Sequence, residues 1–142
     1  ITWQKTNPPP NLACRCFTHS TETILWAKKN DKKSRHFFDY QKMKEMNGGK
    51  QMKDVWTGAL TKPSEKTEGK HPTQKPEYLL ERIVLASTEE GRVILDPFCG
   101  SGTTGVEAVR FGRKFIGIDV SEEYLEISKR RLEKVVNDRK KF

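Results

Sequence analysis

Arg92-Val93-Ile94-Leu95-Asp96-Pro97-Phe98-Cys99-Gly100-Ser101-Gly102-Thr103-Thr104-Gly105 is the stretch that decides the fold. Val93-Ile94-Leu95 is a short β-branched, apolar run of the kind that fills a strand buried in a parallel sheet. The glycines behind it let the backbone turn sharply, and from Thr103 the pattern predicts a helix to about Val109, closed by Gly112. A second strand is expected over residues 114–118, ending in Asp119. Ser121 is the expected N-cap of a final helix, with Glu122 and Glu123 complementing its dipole. That helix is predicted to bury Tyr124, Leu125, Ser128, Leu132, Val135 and Val136. Upstream, Pro76 opens a helix running to about Ser87, with Tyr78, Leu79, Ile83, Val84 and Leu85 as its apolar stripe and Gly91 past its end. Helix, strand, helix, strand, helix is half of a doubly wound parallel sheet, so the fold class is α/β.

Residues 1–70 are less regular. Strands are expected over residues 1–5, 22–28, 36–40 and 54–56, separated by Pro8-Pro9-Pro10, a Lys-rich stretch and the Asn47-Gly48-Gly49 turn, and residues 57–70 read as a loop. The expected division is therefore 1–70 and 71–142. At 142 residues the chain suits one domain, although 34% hydrophobic residues and a mean hydropathy of −0.80 argue against a large self-contained core. No run approaches a membrane span, no signal-peptide pattern opens the chain, and the irregular pattern excludes a coiled coil or collagen. Beginning at Ile1 directly in strand-like sequence, it reads as a piece of something longer.

The formal charge is +8 and unevenly spread. From Lys28 to Lys53 nine basic residues face three acidic ones, a net +6, interleaved with Phe37, Phe38 and Tyr40. Cations among rings and glycines can contact a phosphate backbone; the candidates are Lys28, Lys29, Lys32, Lys33, Arg35 and Lys50. A solvated loop is the bland alternative. A second cluster from Lys129 to Phe142, seven basic against two acidic, reads as the end of a helix whose dipole favours cations. Cys14, Cys16 and Cys99 are too few for a disulfide scaffold and suit a reducing cytoplasm. Cys14-x-Cys16 with His19 lacks finger spacing, so no metal site is expected, and the thiols are expected to be buried or partly buried. Cys99 has no paired base and is no nucleophile.

In an open parallel sheet, ligands bind beyond the carboxyl ends of the strands, where this chain places Gly100-Ser101-Gly102-Thr103-Thr104-Gly105 ahead of a helix. The run fits the G-x-G-x-x-G pattern of dinucleotide sites, and Asp119 ends the next strand where a carboxylate can accept from ribose hydroxyls. Asp96 argues against a pyrophosphate, which it would repel, and for an ammonium group. S-adenosylmethionine (SAM) offers an α-amino group and no phosphate. A turn-capping acid is the plain alternative for Asp96.

Asp96-Pro97-Phe98-Cys99-Gly100-Ser101-Gly102-Thr103-Thr104 closely resembles the cofactor loop of SAM-dependent DNA amino-methyltransferases, and His71-Pro72-Thr73-Gln74-Lys75-Pro76 resembles their methionine-side segment. The order, target-recognition region first and cofactor loop after, is that of the β type, and the resemblance covers essentially the whole chain. The variable part resembles adenine-N6 methyltransferases acting at GANTC sites, enzymes that commonly accompany restriction endonucleases. The resemblance implies a partial Rossmann-like fold with a mostly irregular or β target-recognition segment, SAM as cofactor, double-stranded DNA as partner and a prokaryotic cytosol or nucleoid. It implies that His71, Thr73, Gln74, Lys75 and Asp96 line the amino-acid end. Phe98, following Pro97, would lie by the adenine or ribose; Gly100 and Gly102, with Ser101 and Thr103 around them, would admit the methionine portion. Asp119 would hold the ribose. The bland rivals are a surface Lys75, a loop His71, a core Phe98 and helix-entry roles for Thr73 and Gln74.

The family's Asp/Asn/Ser-Pro-Pro-aromatic tetrapeptide, which accepts hydrogen bonds from the target amine and stacks on the flipped base, is not in this sequence. Asn7-Pro8-Pro9-Pro10 lacks the aromatic residue, so no catalytic residue is assigned. The expected reading is a methyltransferase fragment that needs an N-terminal half, in the same or another chain, and is inactive alone; homodimerisation stays open. Two other readings are a non-catalytic DNA-recognition subunit of a split enzyme and a nicotinamide-dependent oxidoreductase.

Overall fold

The computed structural model describes residues 1–29 and 35–140. Strands β1 (Thr2–Lys5), β2 (Thr21–Thr23) and β3 (Val55–Gly58) form a sheet ordered β2-β1-β3, antiparallel between β1 and β2 and parallel between β1 and β3. The 3-10 turn Pro63–Lys66 leads into helix α2 (Glu77–Ser87), α1 being the short helix Tyr40–Met46. Strand β4 (Val93–Asp96), helix α3 (Thr103–Arg110) and strand β5 (Lys114–Gly117) form a parallel crossover, Leu95 beside Ile116, and helix α4 (Glu122–Arg139) follows. This is the expected α/β architecture, and the helix–strand order from α2 onward is as predicted. Ser121 caps α4, its hydroxyl accepting from the Tyr124 amide.

Trp3, Trp56 and Leu79 form the core under the three-stranded sheet. Trp3 Nε1 donates to Tyr78 Oη at 2.7 Å, and Tyr78 donates on to the Ala59 carbonyl. Burial raises the Tyr78 hydroxyl above its ordinary value, so it stays a neutral donor. A second cluster joins Met43 of α1 to Leu85 and Ala86 of α2.

The structure corrects four expectations. Residues 36–40 form no strand; Asp39 caps α1 through the Lys42 amide, because Met43 at helical spacing finds an apolar seat on α2. The strand expected over 22–28 ends at Thr23, since its pairing with β1 runs out at Ile1, which exchanges bonds with Ile24. Strand β4 is not buried on both faces: Val93, Leu95, Ile116 and Ile118 are each more than half exposed on one face of the β4–β5 pair. Among the described residues, α3 covers the other face, where Gly105 lets the Phe115 ring approach closely. On α4 the buried stripe is Ile127, Ser128 and Arg131, with Val136 exposed. The stripe is rotated because this side of α4 packs on α3 and the glycine turn.

Candidate cofactor site

Strands β4 and β5 end side by side, so the turns that follow them meet. Asp119 ties those turns together: Oδ2 accepts from the Gly100 amide at 2.8 Å and Oδ1 from the Ser121 amide at 3.0 Å. Those backbone donors hold its carboxyl below the ordinary carboxylate value. Asp96 does the same within its own turn, Oδ1 accepting from the Phe98 amide at 3.1 Å and Oδ2 from the Thr104 hydroxyl at 2.7 Å. The turn-capping geometry named as the alternative for Asp96 is therefore present, and each oxygen keeps a lone pair for a ligand.

Gly100 and Gly102 adopt φ of +51° and +76°, a region that L side chains rarely enter. A Cβ on Gly102 would lie 2.1 Å from Ser128 Oγ, so this glycine gives α4 room to pack rather than opening space for a ligand. At Gly100 the Cβ direction meets His71 Nε2 at 2.9 Å. The His71 ring lies edge-on to Tyr124, and its Nδ1 accepts from the Thr73 amide at 3.3 Å. Burial outweighs Asp119 and lowers the imidazole pKa, which keeps a neutral ring with its proton on Nε2.

These turns and residues 71–75 enclose a cavity of about 210 Å³. His71, Thr73, Gln74, Lys75, Asp96, Phe98, Gly100, Ser101, Thr103 and Asp119 line it; Pro97 and Gly102 do not. Leu80 also lines it and was not expected, as do Cys99 and Thr104, which lie in the recognised loop but were assigned no role. Phe98 stands 87% exposed at the rim, not in a core. Gln74 is 8% exposed; its Nε2 donates to the Glu65 carbonyl at 2.8 Å, while its Oε1 is buried with no partner. Lys75 is held at the edge by an ion pair of 2.6 Å with Glu22 and lies 5.8 Å from the Trp3 ring centroid. Cys99 is buried and its thiol pKa raised by that burial, which leaves it inert.

Sequence reasoning missed Arg131, assigned to the cation-rich end of a helix. It is 5% exposed and reaches the glycine turn and Glu77. Its place in the i, i+4 row with Ile127 was the available signal.

Of the DNA candidates, Lys28, Lys29, Arg35 and Lys50 are exposed; Lys32 and Lys33 lie outside the described residues. Trp26 is half exposed and meets His36 edge-on, with Phe38 against it. Cys14 and Cys16 are exposed rather than buried, in a turn that packs on no core. Among the described residues no His/Cys/Asp/Glu group could hold a metal, and no helix is long and apolar enough to cross a membrane. Asn7 is committed to structure: its Oδ1 accepts from the Leu60 amide at 2.8 Å.

The profile of a family described as DNA methylase matches residues 1–130. The Type II methyltransferase M2.LlaDCHI of Lactococcus lactis subsp. cremoris is 76% identical over 134 residues, which are 94% of this chain and 50% of that protein. M2.DpnII of Streptococcus pneumoniae is 75% identical over 133 residues, with the same coverage of 94% and 50%. Among solved structures, M1.HpyAVI in complex with SAM matches with a TM-score of 0.74 at 38% identity, over 93% of this chain and 60% of that one. The cytosine-N4-specific PvuII DNA methyltransferase, at 20% identity and a TM-score of 0.71 over 96% of this chain and 54% of that one, shares the fold. The chain spans about half the length of the curated relatives it matches.

Proposed function

We propose, from the premise that this chain belongs to the DNA methylase family, that it is the cofactor-binding and DNA-facing portion of a SAM-dependent DNA amino-methyltransferase. The observation that carries the reading is the single cavity in which residues 71–75, the Asp96–Thr104 turn and Asp119 converge. Its donor set suits a zwitterionic adenosine compound without phosphate: two carboxylates, an orphaned Gln74 Oε1, and a helix start at Gly102 that no side chain caps. When bound, SAM supplies a methyl group activated on sulfonium. Asp119 accepts from the ribose hydroxyls, Phe98 covers the adenosine at the rim, and Asp96 with Gln74 takes the ammonium end. His71, Thr73 and Lys75 wall the same end, and Gly100, Ser101 and Thr103 shape its floor.

The target in this reading is the exocyclic amine of adenine N6 in preference to cytosine N4, on the likeness of residues 1–11, 19–29 and 37–56 to adenine enzymes. Residues 1–70 face double-stranded DNA, with Lys28, Lys29, Lys32, Lys33, Arg35 and Lys50 as phosphate contacts, and 71–142 hold the cofactor. The groups that free the amine lone pair belong to a further segment of the whole protein. The bare apolar face of Val93, Leu95, Ile116 and Ile118 supports this, since parallel sheets are covered on both faces.

The test is calorimetric titration of the chain with S-adenosylhomocysteine, with NAD as comparator. Binding of S-adenosylhomocysteine alone, weakened at least tenfold by Asp119→Ala, is expected. Preference for NAD sinks the reading, and methylation of DNA by the 142-residue chain alone sinks the need for a further segment.

A further inference from the structure

We propose that Arg131 is a positioning residue that pins the middle of the glycine turn, and so sets the affinity for the amino-acid end of the cofactor; this rests on the reading above. Between Gly100 and Gly102, both in the left-handed region, Ser101 has no intrinsic preference to hold it in place. Arg131 supplies that hold from outside the turn. Its Nη1 donates to the Ser101 carbonyl at 2.8 Å, the Ser101 hydroxyl at 3.4 Å and the Thr103 hydroxyl at 3.0 Å. Its Nη2 donates to Glu77 Oε1 at 3.1 Å. Asp119 grips the same turn from the other side through the Gly100 amide.

A buried guanidinium is expensive to desolvate, and an apolar side chain of similar size would serve the packing as well or better. It also stands beside the start of α3, the end of a helix that disfavours cations. What Arg131 adds over an apolar residue is direction: three donor contacts onto two cavity-lining residues, and a carboxylate that fixes where the guanidinium sits. That carboxylate is itself braced. Glu77 Oε2 pairs with Arg110 at 2.9 Å, and Arg110 also donates to the buried Glu107. The path from the turn thus runs through α4 and α2 to α3, and none of its charged members lines the cavity.

The test compares two ligands that differ only at the end the turn serves: S-adenosylhomocysteine and 5′-methylthioadenosine, which lacks the amino-acid portion. Arg131→Met is expected to weaken S-adenosylhomocysteine at least tenfold and 5′-methylthioadenosine by less than twofold, with Arg131→Lys recovering part of the difference. A parallel loss for both ligands, or no loss for either, overturns the proposal. Hydrogen exchange supplies a reading without ligand: the Gly100 and Gly102 amides should exchange at least tenfold faster in Arg131→Lys, while Val106 and Ala108 in α3 do not change. Equal acceleration throughout α3 makes Arg131 merely structural. Failure of the wild-type chain to bind either ligand falls on the cofactor reading, and the exchange result then still decides whether Arg131 pins the turn.

Discussion

Around the cavity, polar groups do the positioning; in the three-stranded sheet, rings do. Asp96, Asp119 and Arg131 each fasten a turn by two or more hydrogen bonds, and the side chains between them are small. In residues 1–70 the fixed points are Trp3 and Trp56 on Leu79, and most of the described charged residues are exposed. A site that must hold one molecule in one pose needs directional bonds on a turn of special backbone shape. On the proposed reading, the basic surface of residues 1–70 meets phosphates by charge rather than by fixed geometry.

The sharpest strain on this contrast is Trp3→Ala. Removing a 1% exposed indole that donates to Tyr78 is expected to lower stability by about 3–5 kcal/mol in urea denaturation; a loss below about 1 kcal/mol would mean that the rings do not carry the first half. Gly102→Ala is expected to cost about 2–4 kcal/mol, from its positive φ and its overlap with Ser128, and to abolish detectable S-adenosylhomocysteine binding. Normal binding by a folded Gly102→Ala protein would break the claim that backbone shape serves the cavity.

Glu107 gives a smaller effect with a sign of its own. It is 0% exposed, and burial, acting against the nearby Arg110, raises its carboxyl from 4.5 to about 7. In the unfolded chain that carboxyl ionises at its ordinary value while the fold keeps it protonated. Stability therefore declines as pH rises from about 4.5 to about 7 and levels off above. Glu107→Gln should flatten that slope and gain about 1–3 kcal/mol at pH 8, read from thermal midpoints across pH. A slope unchanged in Glu107→Gln would place the titration elsewhere. Asp119 acts with the opposite sign: its lowered pKa makes it stabilising at neutral pH, a contribution lost in acid as the carboxyl protonates. The smallest effect belongs to Lys50→Ala, expected to weaken DNA binding by roughly two- to fivefold, to reduce the salt slope by about 1 and to leave S-adenosylhomocysteine binding alone.

The second half was legible because its signals are local. A β-branched run, two glycines two residues apart and an acid ending the next strand lie within about thirty residues, and they mark the cavity floor without any knowledge of distant contacts. Arg131 was hard to read: thirty positions separate it from Ser101, it sits in a basic run, and only its place one turn from Ile127 pointed to burial. Lys75 was read as a cofactor residue with no sign that Glu22 would claim its ammonium group. Helix α1 was missed because Phe37, Phe38 and Tyr40 look like a strand, whereas Asp39 with Met43 and Met46 at helical spacing was the better cue. The exposed face of β4 and β5 escaped prediction for a different reason. An apolar run records what a strand is built to meet, and within these residues only α3 meets it.

Glu77 and Tyr78 are neighbours in the first turn of α2, and they reach different parts of the molecule. Glu77 holds the guanidinium that grips the glycine turn; Tyr78 accepts from Trp3 at the base of the other sheet. One rigid turn of helix is thus a fulcrum. A tilt of α2 that moves Tyr78 with the Trp3 sheet also moves the Glu77 carboxylate that holds Arg131.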